Sequence, residues 1–268
     1  MIGFNCIGRL GRLGNQMFQY AALRGIAFNR GFNFCFPVHQ NTVNDGSGNI
    51  LKTELFDGFE MNSVSPLNIQ LIDNSRKTIT EKSYSFDENL FNNCPDWTNI
   101  HGFFQSEKYF KHIRNTLLED FKFKDEILNP CKKMISSVDK PISLHIRRTD
   151  YLTNPNHTVL GLDYYEKALK EFDDDSTIIV FSDDPAWCSE QKLFYNDRFL
   201  IAEGNDQFVD MCLMTMCSGH IIANSSFSWW GAWLSNSKKI IAPSGWFDGS
   251  NNLHLDTSDL IPKEWMVI

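Results

Sequence analysis

Between Ile142 and Ala242 the chain alternates short apolar runs with single helical stretches, and this rhythm restricts the fold more than any other feature. Strand Ile142 to Ile146 leads to helix Tyr164 to Phe172, strand Thr177 to Phe181 and a helix opening at Pro185. Strand Phe199 to Ala202, helix Gln207 to Met216, strand His220 to Ala223, helix Phe227 to Leu234 and strand Lys239 to Ala242 complete the series. Strands separated by single helices cannot pair as hairpins, so they form a parallel sheet with right-handed crossovers. The chain opens in the same way. Strand Ile2 to Ile7 runs into a loop punctuated by Gly8, Gly11 and Gly14, then helix Asn15 to Asn29, a stop at Gly31 and strand Phe32 to Phe36. The expected fold is therefore α/β, with two facing halves divided into residues 1–135 and 136–268. Pro130 to Lys140 reads as the link, Gln40 to Ser85 as loops and short elements, and Lys108 to Phe123 as a helix.

With 268 residues, the chain has room for one large domain or two smaller ones. A formal charge of -8 excludes a general nucleic-acid binder, which needs a basic surface. An anionic ligand must then be held by a few local cations and backbone amides. The seven cysteines include no pair at zinc or redox spacing, which points to free thiols and a reducing compartment. A strand beginning at Ile2 leaves no signal peptide, and no apolar run approaches the length of a membrane span. The expected location is cytoplasmic.

The strongest local signal is PISLHIRRTDY, Pro141 to Tyr151. Side chains alternate along a strand, so His145 and Arg147 share a face at its carboxyl end, where open α/β sheets bind ligands. Arg147 can offer two parallel N–H groups to a diphosphate, while His145 can reach a phosphate, ribose or base edge. The alternative is a satisfied interior histidine beside a surface pair of Arg148 and Asp150. A second signal is IIANSSFSWWGAWL, Ile221 to Leu234, where a strand runs through Asn224, Ser225 and Ser226 into a helix. A helix start with added hydroxyls suits a phosphate, and Ser225 or Ser226 is equally an N-cap. Trp229, Trp230 and Trp233 read as core, with Gly231 and Ala232 allowing close packing.

The glycine-rich segment Gly8 to Leu23 lets backbone approach a ligand closely, with Asn15 opening the helix. It is not GxGxxG, which disfavours a nucleotide-dependent oxidoreductase. Arg9 and Arg12 can meet phosphate or solvent, and spacing does not decide between them. In VFSDDPAWC, Val180 to Cys188, Asp184 before Pro185 has the form of an N-cap. That leaves Asp183 free to accept from a guanine or ribose, or to serve the fold alone. The run Asp173 to Asp175 reads as a turn and not as a metal site.

Taken together, GNQMFQYA (Gly14 to Ala21), HIRRTDY, FSDDPAWC, DMCLMTMCSGHIIANSSFSWWGAWL (Asp210 to Leu234) and PSGWF (Pro243 to Phe247) resemble the α-1,2-fucosyltransferases of glycosyltransferase family 11, in the family's order and across most of the chain. Arg12 departs from the family pattern, standing where bacterial members more often have a second glycine. The resemblance implies a GT-B-like pair of Rossmann-like halves, the first facing the acceptor and the second binding the donor. It also implies inverting transfer of L-fucose from GDP-β-L-fucose to a glycan hydroxyl, O2 of a terminal β-galactoside, with no bound metal or other cofactor. The HxRR strand is similar to that of the α-1,6- and protein O-fucosyltransferases, whose first arginine holds the donor diphosphate, a role that carries over to Arg147. His145, Arg148, Asp183, Asn224, Ser225, Ser226, Ser228 and Asn15 are the further donor-binding candidates. Asp150 is the candidate base for the acceptor proton, with the orientation of an arginine as its other role. A non-catalytic nucleotide- or glycan-binding module is the rival reading, and turnover of GDP-fucose separates the two.

Overall fold

The computed structural model describes residues 1–46, 48, 50–73, 77–247 and 255–268. The chain forms two compact units, Met1–Phe123 with Leu255–Pro262, and Lys124–His254 with Lys263–Ile268.

The first unit contains β1 (Ile2–Gly3), α1 (Leu13–Arg30), β2 (Phe34–Cys35), β3 (Val43–Asn44), β4 (Ile50–Leu51), α2 (Leu55–Gly58), β5 (Lys77–Thr80), α3 (Glu88–Asn93), β6 (Thr98–His101) and α4 (Arg114–Asp120). Its main sheet has the order β2-β1-β6-β5, all parallel, and β3 pairs with β4 as an antiparallel ribbon. Helix α1 starts at Leu13, two residues before the expected Asn15, and Gly31 ends it at φ 65°. The expected helix Lys108 to Phe123 is broken into two 3-10 turns and α4. The break falls at Phe110, which leaves helical geometry (φ -142°, ψ -4°) while its ring is fully buried and 6.0 Å from that of Phe18. Residues 255–262 return to this unit, where Asp259 accepts from the Phe86 N–H at 3.0 Å and pairs with Lys108.

The second unit contains α5 (Asp125–Ile135), β7 (Ile142–Ile146), α6 (Leu162–Leu169), β8 (Ile178–Ser182), α7 (Pro185–Ser189), β9 (Phe199–Ile201), α8 (Gln207–Thr215), β10 (Gly219–Ile221), α9 (Ser226–Leu234), β11 (Ile240–Ala242) and β12 (Met266–Val267). The division between units lies at residue 123, ahead of the expected 135, because α5 buries Ile127 and Cys131 within the second unit. There the Cys131 thiol donates to the Val209 carbonyl of α8 at 3.7 Å.

The six strands of this sheet are all parallel, in the order β12-β11-β10-β7-β8-β9. The chain begins in the middle at β7, runs outward through β8 and β9, then crosses back to β10 on the other side of β7. Strand order therefore reverses between β7 and β10, and the carboxyl ends of these two strands flank the crevice where such sheets take ligands.

Alternation along β7 assigns its two faces. Ile142, Leu144 and Ile146 pack with Tyr164, Tyr165 and Ala168 of α6 in the main apolar cluster. Ser143 lies on the other face, where its hydroxyl meets His220 Nδ1 at 2.7 Å, and His220 Nε2 meets Ser235 at 2.9 Å. Trp229 and Trp230 are fully buried, as the core reading expects. A Cβ at Gly231 would sit 2.9 Å from the Met214 side chain, so glycine there lets α9 approach α8 closely. All seven cysteines are free thiols; Cys6 is half-buried and the others are buried.

Candidate active site

The two strongest sequence motifs meet at the strand-order reversal. Arg147 and Arg148 leave the end of β7, and the chain then makes a 3-10 turn over Thr149–Leu152. Beyond β10, Asn224 and Ser225 lead into α9. The Tyr151 hydroxyl joins the two loops by donating to the Asn224 carbonyl at 2.9 Å.

Arg147 is the centre of the cluster. Its Nη2 lies 2.7 Å from Asp150 Oδ1 and its Nε 3.4 Å from Asp183 Oδ2, with only 13% of the side chain exposed. Burial opposes its charge, but the bond to Asp150 and the charge of Asp183 outweigh this and raise its pKa. Two carboxylates thus fix the plane of the guanidinium from two edges, which a point-charge ammonium cannot reproduce. The Tyr151 ring centroid lies 5.5 Å from the Arg147 guanidinium carbon.

Of the two roles open to Asp183 from the sequence, the partners on view are those within the fold. Its Oδ1 accepts the Arg148 backbone N–H at 2.9 Å, and its Oδ2 accepts from the Thr149 hydroxyl. Burial pushes its carboxyl pKa up, but Arg147, Thr149 and the Arg148 N–H together hold it below the ordinary value. The carboxylate thereby pins the turn that carries Arg147. Asp184 caps α7 as expected, accepting from the Trp187 N–H at 3.2 Å. Its other oxygen holds Arg148 Nε at 3.2 Å, and the Arg148 guanidinium stacks 3.7 Å from the Trp187 ring centroid. The Arg148 side chain is therefore engaged inside the protein, and its placement supports the turn.

His145 is buried, with its ring 5.6 Å from that of Phe227 on α9. Burial, set against Asp183, drives its pKa far below the ordinary range and keeps the imidazole neutral. Its Nδ1 is a buried polar atom with no hydrogen-bond partner among the described residues. Asn224 spends both amide hydrogens on the carbonyls of Thr158 (2.8 Å) and Trp246 (2.9 Å), so it staples three loops together. Ser225 is the N-cap of α9, accepting from the Phe227 N–H at 3.4 Å, and Ser226 is the first residue of the helix. Ser228 is buried and turned inward, donating to the carbonyls of Ala223 (3.5 Å) and Ser225 (3.4 Å). Asn15 belongs to the first unit, where its Oδ1 accepts from Gln105 at 2.7 Å.

The structure thus brings His145, Arg147, Arg148, Asp150, Asp183, Asn224, Ser225 and Ser226 to one end of one sheet. It assigns Arg148, Asp183, Asn224 and Ser228 internal partners that the sequence analysis does not foresee. Tyr151, Thr149 and Trp187 escaped that analysis although each lies inside a quoted motif. The signal available was position, since Trp187 stands three residues after the cap Asp184, over which Arg148 must fold. Among the described residues, no group of three or more His, Cys, Asp and Glu side chains is placed to hold a metal ion. No described helix is long and apolar enough to cross a membrane.

Comparison with known proteins bears on the family and the fold. The α-1,2-colitosyltransferase of Escherichia coli is 32% identical, the match covering 96% of this chain and 96% of that protein. The O-antigen biosynthesis glycosyltransferase WbnK of E. coli is 36% identical, over 65% of this chain and 63% of its own length. The galactoside α-(1,2)-fucosyltransferase 2 of Bos taurus is 26% identical, over 89% of this chain and 71% of that protein. Among solved structures, the NodZ α-1,6-fucosyltransferase soaked with GDP-fucose has the same GT-B-like fold, with a TM-score of 0.54 at 15% identity over 91% of this chain and 94% of that one. POFUT1 in complex with GDP-fucose gives 0.52 at 12% identity, over 90% and 96%. The model of glycosyl transferase family 11 matches residues 1–268. The chain belongs to glycosyltransferase family 11, and it is a glycosyltransferase enzyme.

Proposed function

We propose that the chain transfers L-fucose from GDP-β-L-fucose to a glycan hydroxyl, O2 of a terminal β-galactoside, with inversion and without a metal ion. The observation that carries this reading is Arg147, buried at the strand-order reversal with its plane fixed by Asp150 and Asp183. As GDP departs, negative charge grows on the β-phosphate and positive charge on the sugar ring. A pre-oriented guanidinium, together with the partial positive charge at the start of α9, stabilises the first of these without reorganising. In this reading the neutral His145, whose Nδ1 has no partner among the described residues, accepts from or donates to an edge of the nucleotide.

The test is an assay of GDP-fucose against UDP- and CMP-sugars on a glycan array. GDP-fucose is expected to turn over, with an α-1,2-linked product and negligible use of the others; equal use of a UDP-sugar sinks the reading. Transfer is expected to persist in EDTA, because Arg147 supplies the charge that a divalent ion would otherwise supply. Activity lost in EDTA and restored by Mn²⁺ contradicts that. A second donor is favoured by the colitosyltransferase, whose match covers nearly the whole of both chains. GDP-colitose belongs in the same assay, and its preferential use moves the reading to that sugar.

Asp150 separates its two candidate roles. With its carboxylate 2.7 Å from Arg147 Nη2, it acts in this reading as the arginine's orienting partner. Asp150→Asn keeps an acceptor oxygen but loses the charge assistance, about 1 kcal/mol or roughly fivefold. GDP affinity and transfer should fall together by that factor. Unchanged calorimetry with GDP, beside a ~10²-fold loss of transfer, would instead make Asp150 the base.

A further inference from the structure

His157 lies in the loop between the 3-10 turn and α6, in a polar stretch without a motif. Its imidazole stacks on the Tyr151 ring, with centroids 4.2 Å apart and planes 5° from parallel. On the far side of the loop its backbone bridges to Phe247, whose ring is 5.7 Å away. Tyr151 is itself fixed by its bond to Asn224 and lies against Arg147. Asn224 also holds the carbonyl of the next residue, Thr158. His157 is thus positioned through two neighbouring contacts of the same cluster, one residue's stack away from Arg147.

Among the described residues, the charged groups acting on the His157 ring are Asp150 and Arg147. Burial lowers its pKa below the ordinary 6.5; Asp150 pulls it up and Arg147 adds to the lowering. The ring is therefore neutral at neutral pH, and Asp150 is at hand to stabilise an imidazolium once formed. Among the described residues its buried Nδ1 has no hydrogen-bond partner, so the ring is not consumed by a structural bond there. Asp150, the candidate base from sequence, is already committed to Arg147. A proton acceptor needs to be neutral and rigidly held, and His157 meets both conditions one ring away from Arg147.

Resting on the transferase function proposed above, we propose that His157 takes the proton of the acceptor hydroxyl. In that step the acceptor oxygen forms its bond to the sugar C1 as the bond from C1 to the β-phosphate oxygen breaks. The bonding pair leaves with GDP, the hydroxyl proton passes to the imidazole, and the imidazolium later returns it to water.

The informative variant is His157→Phe, which keeps a ring to stack on Tyr151 but has no nitrogen. Transfer from the GDP-sugar should fall about 10²-fold, while the melting temperature and GDP affinity by calorimetry stay close to wild type. The pH profile gives a second readout. Wild-type transfer should hold above the His157 pKa and decline as pH falls below it, with the midpoint under 6.5. In His157→Phe that acid limb should vanish. Transfer within threefold of wild type, a retained acid limb, or GDP affinity lost alongside transfer each overturns the proposal. His157→Gln, which loses the stack as well, serves if the Phe variant fails to fold. A wild-type protein that uses no GDP-sugar fails the functional reading itself, whereas an active wild type beside an equally active His157→Phe sinks only this proposal.

Discussion

Arg147→Lys is expected to leave the fold intact and remove nearly all transfer. Lysine keeps the charge, but a single ammonium cannot span Asp150 and Asp183 while also facing a diphosphate. In the native protein those carboxylates sit 2.7 and 3.4 Å from different nitrogens of one planar group. Losing one charge-assisted bond in the transition state costs roughly 1.5–3 kcal/mol, or about 10- to 150-fold in rate. Because the remaining bonds also lose their alignment, the upper end of that range is the expectation. The loss should appear in kcat and in GDP affinity, with the acceptor KM little changed, if the guanidinium meets the donor as proposed. Turnover within about threefold of wild type would place the diphosphate elsewhere.

The sequence discloses this residue because its neighbours are regular. A fully buried parallel strand reads as an unbroken apolar run, so the polar residues His145 and Arg147 at its end stand out. The same regularity marks the strands and helices that follow, which fall within a few residues of their expected bounds. What escapes the sequence is held by contacts between residues distant along the chain. Strands β1 and β2 fall inside the expected runs Ile2 to Ile7 and Phe32 to Phe36 but pair over only two residues each, so the apolar runs read longer than the strands. Helix α5 carries Pro130 in its interior, and a proline there removes a backbone bond, so the segment reads as a link. It is helical nonetheless because Ile127 and Cys131 are buried on one face. The return of residues 255–262 to the first unit rests on polar partners such as Asp259 with Phe86 and Lys108, which carry no pattern.

The site shows the same limit. Residue type and strand position marked His145, Arg147 and Asp150 at one strand end and the α9 start at another as ligand candidates. They did not distinguish a side chain that faces a ligand from one that holds its neighbour. Asp183 and Asp184 are adjacent carboxylates with the same chemistry, yet one pins the Arg147 turn and the other caps α7 and holds Arg148. The cap role of Asp184 is legible from Pro185 beside it, but the bonds that pin the Arg147 turn and hold Arg148 reach 34 to 36 residues along the chain. His157 had no pattern to announce it, because a loop histidine acquires meaning from the ring it stacks on.

Asp183→Asn is expected to lower both stability and GDP affinity, and acid should reveal why. The carboxylate accepts from the Arg148 N–H and the Thr149 hydroxyl and faces the Arg147 guanidinium. An asparagine has one acceptor oxygen, so it cannot serve both sides, and its NH2 group opposes a donor on the other. With the side chain 18% exposed, the cost lies somewhat below that of breaking a fully buried pair, about 2–3 kcal/mol. For a chain of this size that is roughly 5–10 °C in the melting midpoint. Because the turn carries Arg147, GDP affinity should weaken about tenfold or more. The pH dependence follows from the depressed carboxyl pKa. A carboxylate held below its unfolded value contributes stability above about pH 4 and loses it as pH falls through the folded pKa. Wild type and Asp183→Asn should therefore differ most near neutrality and converge in acid below that point. Melting curves across that range decide the matter: a gap that stays constant down to pH 2 would mean that Asp183 acts through shape alone and that its charge does not hold Arg147.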